Sequence, residues 1–200
     1  QNRLLSMATE DFDIGLAAVT GGSARNAIPR ESKSVITVPA EQKEELLAAL
    51  MDLEATFQSE YQHTDAGVRI VVSDTDLPSG IAPDYFMADF ILAIYACPSG
   101  VFRMSPDMPG LTQTSNNLSI VKMGGGSYEV QCLTRSSVDT EKMDFAASVS
   151  AAFVMMDADI ELSGEYPGWT PNTADPMIEI VAQAYTTRFG GQAKVAATHG

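Results

Sequence analysis

The residues best suited to chemistry in this chain are few and cationic. Arg25-Asn26-Ala27-Ile28-Pro29-Arg30-Glu31 lies between two strand-like runs, and Arg135 follows Val130 to Thr134 at the exit of another. A guanidinium fork binds a carboxylate bidentately, and an Asn amide can polarise a carbonyl while accepting from an amine. The competing reading is structural, with both arginines pairing with nearby acids. Acids are abundant: 26 Asp+Glu against 12 Lys+Arg leave a formal charge of -14.

That balance excludes whole classes of function. Duplex DNA or RNA requires a basic face that releases counterions, so no nucleic-acid partner is expected. A metal site needs converging ligands, commonly His with carboxylate. The only histidines are His63 and His199, with no HxH, HxD or HExxH spacing, and His63 beside Gln62 reads as a solvated or capping residue. Glu41, Glu44, Glu45 and Glu54 fall at the spacing of a wet helix face. There is no G-x-S-x-G elbow and no phosphate loop. Gly124-Gly125-Gly126 has strands on both sides, which makes it a hairpin turn. Cys97 and Cys132 form no CxxC pattern or disulfide framework, so a reducing compartment is the simpler reading.

The elements that must position these residues follow from periodicity. Asn2 to Met7 reads as the tail of a helix, and Phe12 to Val19 alternates as a strand before Gly21-Gly22. Ser34 to Val38 is a second strand. Ala40 to about Tyr61 is an amphipathic helix with Leu46, Leu47, Leu50, Leu53 and Phe57 on its dry face. Val68 to Ser73 reads as a strand, Pro83-Asp84 opens a helix, and residues 99 to 116 read as a long functional or mobile loop. Asn117 to Met123 and Tyr128 to Arg135 form a hairpin. A helix opens at Ser137-Val138-Asp139, Asp159 to Ser163 is a strand, Pro176 to Phe189 a helix and Ala193 to Thr198 a last strand. Hairpins alternating with helices predict an α+β fold, an antiparallel sheet with helices packed on one face.

Hydrophobic residues at 45% and charged residues at 19% predict a packed core. The longest apolar stretch, Phe86 to Cys97, carries Asp89 and is shorter than the roughly 20 residues of a membrane span, so no membrane partner is expected. No basic segment followed by an apolar core opens the chain. It starts on Gln1 and stops on Thr198-His199-Gly200 straight after a strand-like run, so a piece of a longer protein is expected.

Four segments add a resemblance. Gly21 to Glu31, Gly110 to Leu118, Val130-Gln131-Cys132-Leu133-Thr134-Arg135-Ser136 and Tyr166-Pro167-Gly168-Trp169-Thr170-Pro171 resemble, in order and spacing, the aminoacyl-histidine dipeptidases, also called cytosolic nonspecific dipeptidases. These belong to the zinc metallopeptidase clan that includes carnosinases. The resemblance implies a cytoplasmic, homodimeric enzyme. Its catalytic domain holds zinc, and a ferredoxin-like lid closes over a dipeptide substrate and takes part in dimer contacts. Residues 1–165 then correspond to the lid and 166–200 to the return into the catalytic domain. The zinc ligands and catalytic residues lie elsewhere, leaving this piece inactive alone and without bound metal.

The same resemblance assigns three substrate-binding residues. Asn26 falls on a lid Asn that contacts the substrate carbonyl or backbone, and Arg135 on the lid Arg that holds the free C-terminal carboxylate. His199 falls on a loop lining the cleft, where Gly200 replaces the Ala of the family's HAGLE-type loop. The rival reading is a non-catalytic ferredoxin-like module for small-molecule binding or oligomerisation.

Overall fold

A computed structural model describes residues 1–172 and 174–197. The chain runs α1 (Asn2–Asp11), β1 (Gly15–Gly21), β2 (Ser32–Thr37), α2 (Lys43–Glu60), α3 (Asp84–Ala96), β3 (Gly100–Met104), β4 (Thr112–Gly124), β5 (Ser127–Ser136), α4 (Asp139–Val154) and α5 (Pro176–Phe189). All strand pairs are antiparallel, so the α+β expectation holds.

β4 organises the sheet. β5 covers one of its edges from Thr114 to Gly124, so β3 and β1 must share the other. β3 pairs with residues Thr112 to Asn116 and β1 with Val121 to Met123, and β2 lies outside β1. The stretch of β4 between those two partners is left open for a loop.

Helices α1, α3 and α4 cover one face, and α2 packs on α1. Leu5 of α1, Phe90 and Ile91 of α3, and Leu16, Val19 and Met123 of the sheet form one cluster, with Phe90 only 1% exposed. Phe145, Val149 and Phe153 recur on one side of α4 and pack on Val130 and Cys132 of β5. Leu46 and Leu50 of α2, four residues apart, close on Ala8 and Ile14.

Four sequence expectations change. Val68 to Ser73 forms no strand; Ile70 instead packs against the cluster under α2, and its N–H bonds to Glu54. Part of the loop expected at 99 to 116 is strand β3, whose side chains are all exposed, so no alternation marked it. Asp159 to Ser163 joins no ladder, and a cavity lies between it and β5. Residues 193–197 form no strand, and Thr198 lies outside the described residues.

Candidate functional site

The β4–β5 hairpin sets which way Arg135 points. Paired residues on antiparallel strands share a face, and successive residues alternate. Val130 and Cys132 face α4, so Leu133 and Arg135 face the opposite, open side of the sheet. Arg135 stands opposite Ser115, and Leu133 opposite Asn117. Ser115 and Asn117 are therefore same-face neighbours, about 7 Å apart along the strand.

The loop carrying Asn26 lands on that face. Asn117 Nδ2 donates to the carbonyls of Arg25 at 3.2 Å and Ala27 at 2.8 Å. Ser119, which sits at a bulge in β4 and is fully buried, donates its hydroxyl to the Arg25 carbonyl at 2.7 Å. Asn26 is thus held between two anchored carbonyls, with its own side chain exposed. Gly22 makes this docking possible. Its φ is +73°, and a Cβ there would overlap the Ser119 carbonyl oxygen.

A cavity of about 750 Å³ runs along the free edge of β5, between α4 and residues 157–166, and Arg25 and Arg135 both line it. Arg25 reaches across to Ser163 Oγ at 3.4 Å. Arg135 is half-buried and, among the described residues, makes no side-chain hydrogen bond or ion pair. The pairing of these arginines with nearby acids, one reading of the composition, is therefore not found. Arg30 is exposed.

The far wall is tied to the start of α4. Asp139 Oδ1 accepts from the Gly168 N–H at 2.7 Å and from Lys142 Nζ at 3.0 Å. Lys142, only 8% exposed, also donates to the Tyr166 carbonyl at 2.6 Å. The Gly168 amide, and then Lys142, hold the Asp139 carboxyl below its ordinary range, while the bond to Asp139 raises the Lys142 ammonium. A lowered carboxyl contributes stability above its unfolded pKa and loses it as pH falls through the folded value. A raised ammonium contributes below its unfolded pKa and loses it as pH rises through the folded one. The tether is accordingly intact from about pH 4 to about pH 10. Fluorescence of Trp169, the only tryptophan, is expected to be flat across that window and to change outside it. A transition centred near neutral pH would contradict this tether.

Two of the three expected site residues thus share one face, Arg135 directly and Asn26 through its anchored neighbours. His199 lies outside the described residues. His63 is exposed in the turn after α2, as a solvated residue should be. Arg25 stood out in the sequence as a cation, but the parts of Asn117 and Ser119, which seat its loop, were missed. Both looked like ordinary strand positions, and no local spacing pairs them with residues about 90 positions earlier. Among the described residues no group of three or more His, Cys, Asp or Glu side chains gathers as a metal site requires, so the zinc implied by the resemblance has no fit on them. Among the same residues no helix is long and apolar enough to cross a membrane.

Sequence and fold together make the chain a homologue of the dipeptidases, which are peptide hydrolases. It is 27% identical over 197 residues to the cytosol non-specific dipeptidase of Escherichia coli (strain K12), an alignment covering 98% of this chain and 41% of that protein. The crystal structure of aminoacylhistidine dipeptidase from Vibrio alginolyticus superposes with a TM-score of 0.93 at 27% identity, covering 100% of this chain and 41% of that one. The chain therefore spans about two fifths of the length of both relatives. No protein-family model matches it.

Proposed function

We propose that this chain is the lid portion of a cytoplasmic, zinc-dependent dipeptidase that hydrolyses Xaa-His and other dipeptides. Residues 1–165 form the lid, and 166–200 lead back into a catalytic domain that carries the zinc ligands. Arg135 holds the free C-terminal carboxylate of the substrate, Asn26 contacts its carbonyl or backbone, and His199 lines the cleft. The lid also takes part in homodimer contacts. Recognising a dipeptide means reading two charged ends, and a guanidinium delivered by a closing lid fixes one of them before bond cleavage.

One observation carries this reading: in a chain of 26 acids, a half-buried arginine has no ionic partner among the described residues, on the face where the Asn26 loop is anchored. The division at residue 165 draws support from α5, which buries none of its side chains and exposes Met177, Ile180, Val181 and Phe189. Such a face is suited to packing against further protein. The isolated chain, mixed with zinc and β-Ala-His, is expected to give no hydrolysis, while the product of the whole open reading frame hydrolyses it. Robust turnover by the isolated chain would place the chemistry within these residues and overturn the proposal.

A further inference from the structure

Cys97 caps the C-terminus of α3, and Cys132 lies on β5, 35 positions later. The fold brings their sulfurs to 3.8 Å, in van der Waals contact, although nothing in their spacing foretells it. Both are free thiols. Cys97 is 5% exposed, whereas Cys132 is half-buried and lines the 750 Å³ cavity, so a small reagent reaches Cys132 first. The surroundings are polar on one side: Asn116 Nδ2 stands 4.0 Å from Cys97 Sγ and donates to the Pro98 carbonyl at 2.7 Å.

We infer that Cys97 and Cys132 form a dithiol site that hydrogen peroxide converts to an intramolecular disulfide, with Cys132 as the attacking and Cys97 as the resolving thiol. A shared proton fits this order. Either sulfur can be the donor across this contact, and the hydrogen bond between them lowers the pKa of Cys132 and raises that of Cys97. The thiolate is the attacking species.

The steps balance. Cys132 thiolate attacks one peroxide oxygen, forming an S–O bond and breaking O–O; the leaving hydroxide takes the proton that Cys97 gives up and departs as water. Cys97 thiolate then attacks the Cys132 sulfenic sulfur, forming S–S and breaking S–O, and the second hydroxide leaves as water after protonation by solvent. The two sulfurs are oxidised, each by one electron overall, and the peroxide is reduced to two waters. Disulfide geometry requires the sulfurs to approach to about 2.05 Å from their present contact at 3.8 Å. The bond would lock the end of α3 to the strand that carries Arg135, three residues from Cys132.

The test is peroxide titration of the reduced chain, followed by alkylation and intact-mass analysis. The expected product is monomeric and about 2 Da lighter, with both thiols blocked to alkylation and both recovered after dithiothreitol. Peptide mapping should link Cys97 to Cys132. Cys97→Ser, checked for folding by circular dichroism, should stop at a sulfenic acid on Cys132 that a 1,3-dione traps. Cys132→Ser should leave Cys97 alkylatable at the same peroxide dose. Two thiols still alkylatable in the native chain, a mass gain without a cross-link, or a linkage only between two chains would each overturn the inference.

Discussion

Replacing Arg135 by Ala in the whole-length protein is expected to lower kcat/KM for a dipeptide about 10²- to 10³-fold, with metal content unchanged. The size follows from what the side chain is placed to do. Removing one partner of a desolvated charge pair costs about 2–5 kcal/mol, and each 1.4 kcal/mol is about tenfold in rate. The guanidinium sits on β5, which is paired to β4 along its length, so little ordering remains to be done when substrate arrives. Because Arg135 makes no side-chain hydrogen bond or ion pair among the described residues, its removal should shift stability by no more than about 0.5 kcal/mol. Arg135→Lys keeps the charge but loses the fork, so it should recover only part of the activity. The measurement is steady-state kinetics beside metal analysis and thermal melting. Near wild-type activity in Arg135→Ala would remove the carboxylate-holding role, and a large loss of stability would show the side chain to be structural.

Gly22→Ala is expected to prevent the chain from reaching this fold. Two penalties coincide at that residue: a φ of +73° and a close approach to the Ser119 backbone that leaves no room for a methyl group. A flexible side-chain tip could move aside, but this obstacle is a carbonyl in the middle of β4. Shifting it disturbs the bulge, the buried Ser119 and the anchor of the Arg25 carbonyl together. A cost above about 4 kcal/mol, a large share of a domain's whole stability, is the expected scale. Gly125 supplies the control. It also has positive φ, +62°, but a Cβ there would meet nothing within 4 Å. Gly125→Ala should therefore cost only about 1–2 kcal/mol. Urea unfolding followed by circular dichroism compares them directly. If the two variants unfold at similar midpoints, the loop does not dock on β4 as described.

These two positions also show what was legible in the sequence. Arg135 stood out because a cation after a β-branched and polar strand run is conspicuous in so acidic a chain, and the strand and its hairpin turn were readable from alternation and three glycines. The same holds for α2, α3 and α4, whose apolar residues recur at helical spacing. The seat for the Asn26 loop was not readable. It depends on β3 and β1 sharing one edge of β4 with a gap between them, and that gap is a property of the assembled sheet. Gly22 looked like a strand terminator, when its larger role is to let the loop approach Ser119. β3 was hidden because all five of its side chains are exposed. Asp159 to Ser163 misled in the other direction: its residues suit a strand, but it joins no ladder, and the cavity lies between it and β5. Cys97 and Cys132 met only through the packing of α3 on β5.

The account turns on where the substrate carboxylate goes. The most direct measurement is a crystal structure of the whole-length protein holding a dipeptide analogue with a non-hydrolysable replacement for the scissile amide. The predicted result is the C-terminal carboxylate within about 2.7–2.9 Å of the Arg135 guanidinium, with Asn26 on the substrate backbone. A carboxylate held by other residues, with Arg135 turned to solvent or to a protein acid, would contradict it.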